Sequence, residues 1–177
     1  PNPANGTADV MLQATADDSA TGNQNVIAAE YTIDGNTAVA ITPNNAATVA
    51  SLNAAIPAAI VAGLANGNHS ITVRAQDALG NWGAFATPVT LVVDKNGPAT
   101  SGVSATPNPA NGVNGVQVST GGAFYQRIDA TISDVGNGNS NIVAAEYFID
   151  PTGTPVGGTG GAMLATAGTF NGNNVTV

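Results

Sequence analysis

The sequence contains no cysteine and few charged residues. Without cysteine, the chain has no disulfide, no thiolate ligand for a metal and no cysteine nucleophile. Charged residues make up 8% of the 177 residues, whereas ordinary soluble domains contain about 25%. The surface must therefore consist mainly of uncharged side chains such as asparagine, threonine, serine and alanine.

Positive charge is scarcest of all, with three Lys and Arg residues against eleven Asp and Glu and a formal net charge of -8. Three scattered cations release too few phosphate counterions for useful binding, so we expect no nucleic-acid partner. The longest apolar run, residues 54–65, contains Pro57 and Gly63. It is also shorter than the roughly 20 residues of a membrane-spanning helix. The sequence therefore predicts no membrane insertion.

An internal repeat organises the chain. Residues 1–6 recur letter for letter as residues 107–112, an offset of 107 − 1 = 106. Residues 28–34 recur with one difference as residues 144–150, an offset of 144 − 28 = 116. The change of offset predicts a ten-residue insertion in the second copy, within residues 112–130. Repeats at a fixed spacing are typical of tandem-domain arrays.

The repeat predicts the domain organisation. We expect a first domain at residues 1–97, a linker or first strand of the next repeat at 98–106, and a second domain at 107–177. Only residues 151–177 follow Asp150 in the second copy, so equivalents of the segment from Gly63 to Val93 are missing. The chain is therefore interpreted as part of a longer tandem array, or as a subunit whose missing strands come from a neighbour.

The first copy consists of short segments with alternating apolar residues, separated by turn-forming residues at intervals of about ten, a pattern typical of β-sandwiches. The apolar positions expected to share one strand face are Val10, Leu12 and Ala14; Ile27, Ala29, Tyr31 and Ile33; Ile71, Val73 and Ala75; and Val89, Leu91 and Val93. One segment is ambiguous. Residues 49–64 have helical spacing, but Pro57 would interrupt a helix, which favours two short strands or a strand followed by a helical turn.

Two stretches resemble the Ig-like repeats of bacterial surface and secreted proteins. Residues 31–35 match the strand motif Y-x-I-D-G, and residues 67–81 match the hairpin motif G-x-H-x-x-x-V-R-A-x-D-x-x-G-N. Residues 94–98 look like the linker between such modules. The resemblance implies an all-β fold of tandem immunoglobulin-like β-sandwiches, the second incomplete because it lacks the hairpin. Such modules serve as stalks, adhesins and accessory domains of secreted enzymes.

Each copy has an acidic residue on either side of an oxygen-rich loop. These pairs are Asp18 with Glu30, and Asp134 with Glu146. Calcium takes six to eight oxygen ligands, so the four carboxylates are candidate calcium ligands. The alternative is that Asp and Asn side chains cap turns through the local backbone. No cofactor is required by the predicted fold, and calcium is the one ion that the loops suggest.

Other candidate residues have structural explanations. His69, the only histidine, is expected to have a hydrogen-bonding role, and turn bracing explains Asp77 with Asn81 better than a metal does. Trp82 is the candidate sugar contact, although packing is the favoured interpretation. The three tyrosines lie on apolar strand faces and are expected to fill the core. The N-glycosylation acceptor motifs begin at Asn5, Asn68 and Asn174.

These features predict an extracellular structural protein rather than an enzyme, because a lone histidine without cysteine provides neither a zinc set nor a catalytic triad. The absence of cysteine fits a bacterial or archaeal surface protein better than an animal ectodomain. The predicted role is a surface filament, stalk or adhesin shaft, whose partners are other copies of the chain or neighbouring repeats of the same array. The alternative is a carbohydrate- or polymer-binding accessory region of a secreted hydrolase, and a third reading is a spacer stiffened by calcium.

Overall fold

The computed structural model describes residues 1–111, 115–117 and 124–177. These residues form an almost entirely β structure, which confirms the predicted all-β class. The elements in chain order are β1 (Val10–Asp17), β2 (Val26–Ile33), β3 (Val39–Ile41), β4 (Val49–Ile56), α1 (Ala58–Gly63), β5 (Gly67–Asp77), β6 (Val89–Val93), β7 (Ala99–Thr106), β8 (Val116–Gln117), β9 (Phe124–Tyr125), β10 (Arg127–Ser133), β11 (Glu146–Tyr147), β12 (Gly161–Ala162) and β13 (Asn174–Thr176). The chain divides into two compact units, unit 1 (Pro1–Lys95) and unit 2 (Asn96–Val177).

Unit 1 contains two antiparallel sheets. Strands β1 and β4 form one, and the other has the strand order β3-β2-β5-β6. Their apolar faces meet in one core, because alternate residues of every strand point to the same side. The buried core residues contributed by these strands are Val10, Ala29, Tyr31, Ile33, Ile41, Leu52, Ile56, Ile71, Leu91 and Val93.

The first residues of unit 1 run parallel to its last strand. The Ala4 amide donates to the Val92 carbonyl and the Asp94 amide donates to the Ala4 carbonyl, both at 2.9 Å. The Asn2 side chain donates to Thr90 and accepts from the Val92 amide. Ala4 is buried, so this segment closes the edge of the sheet at β6.

The ambiguous segment is a strand followed by a short helix, one of the two predicted arrangements. β4 ends at Ile56, and Pro57 stands before the first helical residue, where its missing N–H costs nothing. The Asp9 carboxylate accepts the Ala58 amide at 2.8 Å and so caps the helix. The apolar residues of this segment belong to two consecutive elements, β4 and α1, which both bury their apolar side against the core. Their helical spacing over the whole segment is therefore a coincidence.

The prediction that Ile27 lies on the buried face of β2 is wrong. Ile27 is 50% exposed, whereas Val26 beside it is 3% exposed. The pairing of β2 with β5 shifts register between Val26 and Ala28. Such a bulge places one extra residue on one strand and reverses the side to which the preceding residues point. Val89 also differs from the prediction, because it is exposed at the start of β6.

Unit 2 contains a three-stranded sheet of order β13-β10-β7 and two-stranded pairs β11-β12 and β8-β9. Its core is smaller than that of unit 1. The buried apolar residues of this core are Ala130, Ile132, Ile142, Ala165, Val175 and Val177. None of these core residues comes from β7.

The repeat extends through the backbone hydrogen bonds. The Asp18 amide donates to the Thr48 carbonyl at 2.8 Å, and the Asp134 amide donates to the Asn173 carbonyl at 2.7 Å. The offset is 134 − 18 = 116 on the first strand and 173 − 48 = 125 on the second. Strands β10 and β13 therefore correspond to β1 and β4, with a further insertion of 125 − 116 = 9 residues between them.

This second insertion corrects the expected extent of the second copy. Val177 exchanges backbone hydrogen bonds with Ala130, and in unit 1 the equivalent partner of Ala14 is Leu52. Among the described residues the equivalents end at Leu52, so the segment without equivalents begins earlier in the repeat than the predicted Gly63. The ten-residue insertion predicted within residues 112–130 falls partly outside the described residues.

Candidate functional site

The loop after β1 is organised by Asp18, a candidate calcium ligand. Its carboxylate accepts the Thr21 hydroxyl at 2.6 Å and the Gln24 amide at 2.7 Å. Its carbonyl accepts the amide of Asn23, a residue with a positive φ of 56°. Asparagine tolerates this conformation better than most residues. The contacts of Asp18 are therefore those of a turn-capping residue.

The corresponding loop of unit 2 has the same arrangement around Asp134. The Ser140 amide donates to its Oδ2 atom at 2.5 Å, the same six-residue spacing as Gln24 from Asp18. Asn139 has a positive φ of 62°, and its amide donates to the Asp134 carbonyl. Asp134 is 1% exposed, and its Oδ1 atom has no hydrogen-bond partner among the residues that the structure describes. Asp134 therefore differs from Asp18 in its deep burial, and not in the turn that it caps.

Glu30, the second calcium candidate of unit 1, pairs with an arginine on the neighbouring strand. Glu30 and Arg74 lie opposite each other in the β2–β5 ladder. The Glu30 Oε1 atom accepts a hydrogen bond from Arg74 Nε at 2.7 Å and lies 2.6 Å from Arg74 Nη2 in the ion pair. The side chains are 17% and 33% exposed, respectively. This ion pair gives the carboxylate a cation within the fold and needs no metal.

The same arginine lies against two aromatic rings. The Arg74 Cζ atom is 4.8 Å from the centre of the Trp82 ring and 4.6 Å from that of Phe85. Both distances allow cation–π attraction. Trp82 also forms a backbone bridge with Gln76. Trp82 is thus part of a packed cluster, defined here as the arginine cluster of Glu30, Arg74, Trp82 and Phe85.

The arginine cluster was missed by the sequence reasoning, which named Glu30 and Trp82 separately. Arg74 lies 44 residues from Glu30, so the sequence could have indicated this pair only if the register between β2 and β5 had been predicted. Both strands carry motifs of the resemblance, and aligning them as neighbours in antiparallel register would have brought Glu30 and Arg74 together.

Glu146, the unit 2 counterpart of Glu30, has different partners. Its carboxylate accepts the amides of Gly158 and Gly160 at 2.9–3.0 Å. These two glycines lie in the turn before β12, the strand that pairs with β11. Glu146 therefore ties this turn to its own strand.

Each of the four calcium candidates thus accepts hydrogen bonds from turn amides, a hydroxyl or an arginine, and the Oδ1 atom of Asp134 is without a partner among the described residues. Within residues 1–111, 115–117 and 124–177, no group of three or more His, Cys, Asp or Glu side chains is placed to hold a metal ion. Calcium binding stays a prediction that these contacts do not favour.

His69 and Asp34 form a second ion pair at the start of β5. The Nδ1 atom lies 2.6 Å from Asp34 Oδ2, and the Nε2 atom lies 2.9 Å from the Ala65 carbonyl. Both ring nitrogens face acceptors, which favours the doubly protonated ring. The Asp34 and Ala65 hydrogen bonds raise the pKa of His69, and the hydrogen bonds from His69 and the Ser70 amide lower the pKa of Asp34. These contacts agree with the predicted structural role.

Asp77 closes the turn after β5, as predicted. Its carboxylate accepts the Leu79 and Asn81 amides at 2.9 and 2.8 Å and the Asn81 side-chain amide at 2.9 Å. The hydrogen bonds from Asn81 are the main cause of the lowered pKa of Asp77. The turn directs the chain back along β5, so that the Gly83 amide donates to the Ala75 carbonyl. This is the turn that carries Trp82.

The side of β1 that faces away from β4 is open. Because the Asp18 amide bonds to β4 and antiparallel ladders alternate, the backbone groups of Gln13, Thr15 and Asp17 point away from β4. No strand pairs with β1 on that side in unit 1, all of which is described. We call this row of groups the open edge.

A cleft lies at each end of β1. One cleft, of about 330 Å³, is lined by residues 14–18 of the β1 end and by residues 73–77 of β5. The other, of about 290 Å³, is lined by residues 10–12 and by residues 89–91 of β6. Both clefts run between β1 and the larger sheet. The gap between the two sheets is therefore accessible along the open edge.

Two of the three tyrosines differ from the expectation that they fill the core. Tyr31 is buried, and burial raises its pKa. Tyr125 and Tyr147 are exposed, because unit 2 has no second large sheet to cover them among its described residues. The predicted glycosylation residues Asn5, Asn68 and Asn174 are all exposed.

Comparison with protein-family models, with curated proteins and with solved structures finds no match for this chain. In the part of the chain that the structure describes, no helix has both the length and the apolar character that crossing a membrane requires.

Proposed function

We propose that this chain is an extracellular structural protein, a segment of tandem immunoglobulin-like repeats in a surface filament, stalk or adhesin shaft. The observation that carries the proposal is the repeated strand pair. The same loop and the same backbone hydrogen bonds recur at Asp18 and Asp134 within one chain. Tandem copies of one β module are the usual construction of extended spacers.

The topology of unit 1 supports the immunoglobulin-like assignment. The chain crosses between the two sheets three times, from β1 to β2, from β3 to β4 and from β4 to β5, since β1 and β4 lie in one sheet and the other four strands lie in the second. Sandwiches of this family have such crossed connections between two antiparallel sheets. The parallel pairing of Ala4 with Val93 adds a short strand at the edge of the larger sheet.

The surface suits lateral or end-to-end association of like molecules. With 8% charged residues, neighbouring copies repel one another weakly despite the negative net charge. The exposed apolar residues of unit 2, such as Val143, Ile149 and Leu164, offer contact area. Other copies of the chain, or neighbouring repeats of the same array, are the proposed partners.

Strand complementation is the proposed mode of assembly. In the described part of unit 2, β11 pairs with β12 alone, whereas its counterpart β2 in unit 1 pairs with both β3 and β5. Unpaired strand edges are templates for strands from another molecule. A contact of this head-to-tail kind joins molecules into an open filament when it does not close into a ring.

The proposal is tested by measuring the mass of the purified chain in solution. Light scattering over a wide range of protein concentration should give species larger than 17.3 kDa, and electron microscopy should show extended particles. A folded monomer of constant mass at every concentration would contradict self-assembly. A cell-surface location is tested separately, by labelling intact cells with an antibody against the chain.

The exposed aromatic pair supports the second candidate, a carbohydrate- or polymer-binding accessory region. Trp82 and Phe85 are 40% and 44% exposed, and sugars stack on such rings. The Arg74 guanidinium lies against both rings, so at most the outer faces are free. A glycan array compares the unmodified chain with Trp82→Ala and with Tyr147→Ala, an exposed aromatic of unit 2. Sugar binding lost only in Trp82→Ala would favour the second candidate.

A further inference from the structure

We propose that His69 is a pH-dependent switch, which holds the loop between α1 and β5 while its ring carries both protons. This loop consists of residues 64–66 and is called the α1–β5 loop. When the ring loses one proton, the loop is released, and with it the contacts that hold Lys95, the last residue of unit 1. The inference goes beyond the proposed function and concerns unit 1 alone, so it does not depend on self-assembly.

The α1–β5 loop is held from two sides, by His69 in β5 and by Lys95 after β6. The His69 Nε2 atom lies 2.9 Å from the Ala65 carbonyl. The Lys95 Nζ atom donates to the Leu64 carbonyl at 2.5 Å, and the Lys95 amide donates to the Asn66 side chain at 3.2 Å. Every residue of the loop is therefore bonded to His69 or to Lys95. Because the three residues are consecutive, a displacement of Ala65 also disturbs both partners of Lys95.

The His69 ring lies between two hydrogen-bond acceptors. Its Nδ1 atom is 2.6 Å from Asp34 Oδ2, while the other oxygen of Asp34 accepts the Ser70 amide at 2.8 Å. Its Nε2 atom faces the Ala65 carbonyl. A ring that donates to both acceptors must carry a proton on each nitrogen. The side chain is 11% exposed, which limits the access of water to both bonds.

Loss of one proton leaves Nε2 bare, because the two acceptors differ in charge. A hydrogen bond to a carboxylate is stronger than one to a neutral carbonyl. The hydrogen bonds from His69 and Ser70 lower the pKa of Asp34, so Asp34 is ionised throughout the titration of the ring. The remaining proton therefore stays on Nδ1, beside Asp34. The Nε2 lone pair then faces the lone pairs of the Ala65 carbonyl, and an attractive contact becomes a repulsive one.

The groups around the ring set the direction of the switch. The hydrogen bond to Asp34, followed by that to Ala65, raises the pKa of His69, whereas burial and the positive charge of Lys95 lower it. The raising contacts dominate, so the ring is doubly protonated below its ordinary pKa of about 6.5. The loop is released as the pH rises through the higher folded value. An acidic medium therefore holds the α1–β5 loop, and an alkaline medium frees it.

Release of the loop affects the place where the chain leaves unit 1. β6 ends at Val93, two residues before Lys95. Besides its contacts with the loop, Lys95 Nζ donates to the Ala62 carbonyl of α1 at 3.1 Å, a favourable place for a cation at the C-terminal end of a helix. Two of the three hydrogen bonds of Lys95 go to the loop. The attachment of Lys95 is therefore weakened when His69 no longer holds Ala65.

The positions of the ring protons test the proposal directly. His69 is the only histidine of the chain, so labelling histidine with nitrogen-15 gives the two ring signals without ambiguity. The signals are recorded by NMR from about pH 5 to about pH 9, in solution or, for assembled chains, in the solid state. We expect the neutral ring to carry its proton on Nδ1. A neutral ring protonated on Nε2 would overturn the proposal.

Hydrogen exchange of the Lys95 amide reports the release of the loop, since this amide is bonded to Asn66. After correction for the intrinsic pH dependence of exchange, we expect its protection to fall about tenfold as His69 loses its proton, the effect of one lost hydrogen bond from a charged group. The internal reference is the Asn81 amide, which Asp77 holds at the other end of β5. Its protection should not change. Constant protection of Lys95 throughout the titration of His69 would contradict the proposal.

Asp34→Asn is a matched variant that reverses the neutral tautomer. The amide oxygen still accepts the Ser70 amide, and the amide nitrogen takes the place of Oδ2 and donates to Nδ1. The neutral His69 ring then keeps its proton on Nε2, and the bond to Ala65 survives at alkaline pH. Asparagine tolerates the positive φ of 54° at this position. We expect Asp34→Asn to keep the Lys95 amide protected over the whole pH interval.

His69→Gln removes the titrating group and should abolish the pH dependence of Lys95 protection. A loss of protection with rising pH that persists in His69→Gln would assign the effect to another group and overturn the proposal. A folded Asp34→Asn chain that loses protection like the unmodified chain would refute the tautomer argument. If circular dichroism shows that Asp34→Asn is unfolded, the ring signals and the exchange of the unmodified chain decide the question. Self-assembly is tested separately, by the mass of the chain in solution.

Discussion

The arginine cluster provides the sharpest test of what Glu30 does. We consider Glu30→Gln, which keeps the shape of the side chain and removes its charge. Because Trp82 is the only tryptophan of the chain and lies in the cluster, its fluorescence reports the unfolding of unit 1. The ion pair predicts a loss of stability in unit 1, whereas a calcium site predicts a loss of calcium binding.

The magnitude follows from the contacts and the exposure. A hydrogen bond to a charged group contributes about 1.5–3 kcal/mol, whereas an exposed ion pair contributes about 0.2–1 kcal/mol. Glu30 and Arg74 are 17% and 33% exposed, so their pair lies between these limits. We expect Glu30→Gln to lower the free energy of unfolding of unit 1 by about 1 kcal/mol. For a unit of this size this corresponds to about 4–8 °C in the melting temperature.

The assay is urea unfolding followed by Trp82 fluorescence, with Arg74→Met and the double variant completing a cycle. We expect a coupling free energy of about 1 kcal/mol between the two positions. The control is Glu146→Gln, which removes the equivalent carboxylate of unit 2 and should leave the Trp82 transition unchanged. Each measurement is made in millimolar calcium and again in a chelator.

Two results would refute the reasoning. Additive effects of Glu30→Gln and Arg74→Met would mean that the two side chains do not act as a pair. A rise in unfolding midpoint with calcium that Glu30→Gln abolishes would mean that the carboxylate binds the ion instead.

The remaining predictions also use unit 1. Because hydrogen bonding to Asp34 raises the pKa of His69, the stabilisation by the protonated ring is complete below the unfolded pKa of about 6.5. It is lost as the pH rises through the higher folded value, so unfolding midpoints should fall over that interval in the unmodified chain and stay flat in His69→Gln. Leu52→Ala should lower the free energy of unfolding by about 2–5 kcal/mol, since Leu52 is 2% exposed in the core; an unchanged midpoint would argue against the two-sheet packing. Asn23→Val should cost about 1–2 kcal/mol at its positive φ, whereas Asn23→Gly should be close to neutral, as thermal unfolding of the pair will show.

Much of unit 1 could be predicted because its strands bury one face. Alternation identifies β1 through Val10, Leu12 and Ala14, all of which point toward the core. The prediction failed at Ile27 because a bulge is a property of the pairing between two strands. Neither strand alone encodes which residue is the extra one.

The candidate site was less predictable, since it depends on which strands are neighbours. Glu30 was identified as a chemically interesting residue, but its partner Arg74 lies on a strand distant in sequence. The point at which the equivalents in unit 2 end was placed too late for a related reason. The last strand shares no recognisable letters with β4, so only hydrogen bonding reveals that Val177 occupies the place of Leu52.

The two copies of the glutamate bear on whether that position serves a ligand or the fold. Glu30 and Glu146 occupy equivalent places, yet one carboxylate accepts an arginine and the other accepts the amides of Gly158 and Gly160. A metal site repeated with the module would keep its ligand geometry, since calcium demands a set of converging oxygens. Here the shared requirement is a hydrogen-bond donor beside a half-buried carboxylate, and each unit meets it with whatever lies next to that strand. The loop carboxylates behave in the opposite way, because Asp18 and Asp134 keep the same turn and the same six-residue spacing. The changing partners of Glu30 and Glu146 are therefore explained by the need to solvate a charge. The constant contacts of Asp18 and Asp134 are explained by the turn that each residue caps at the end of its strand.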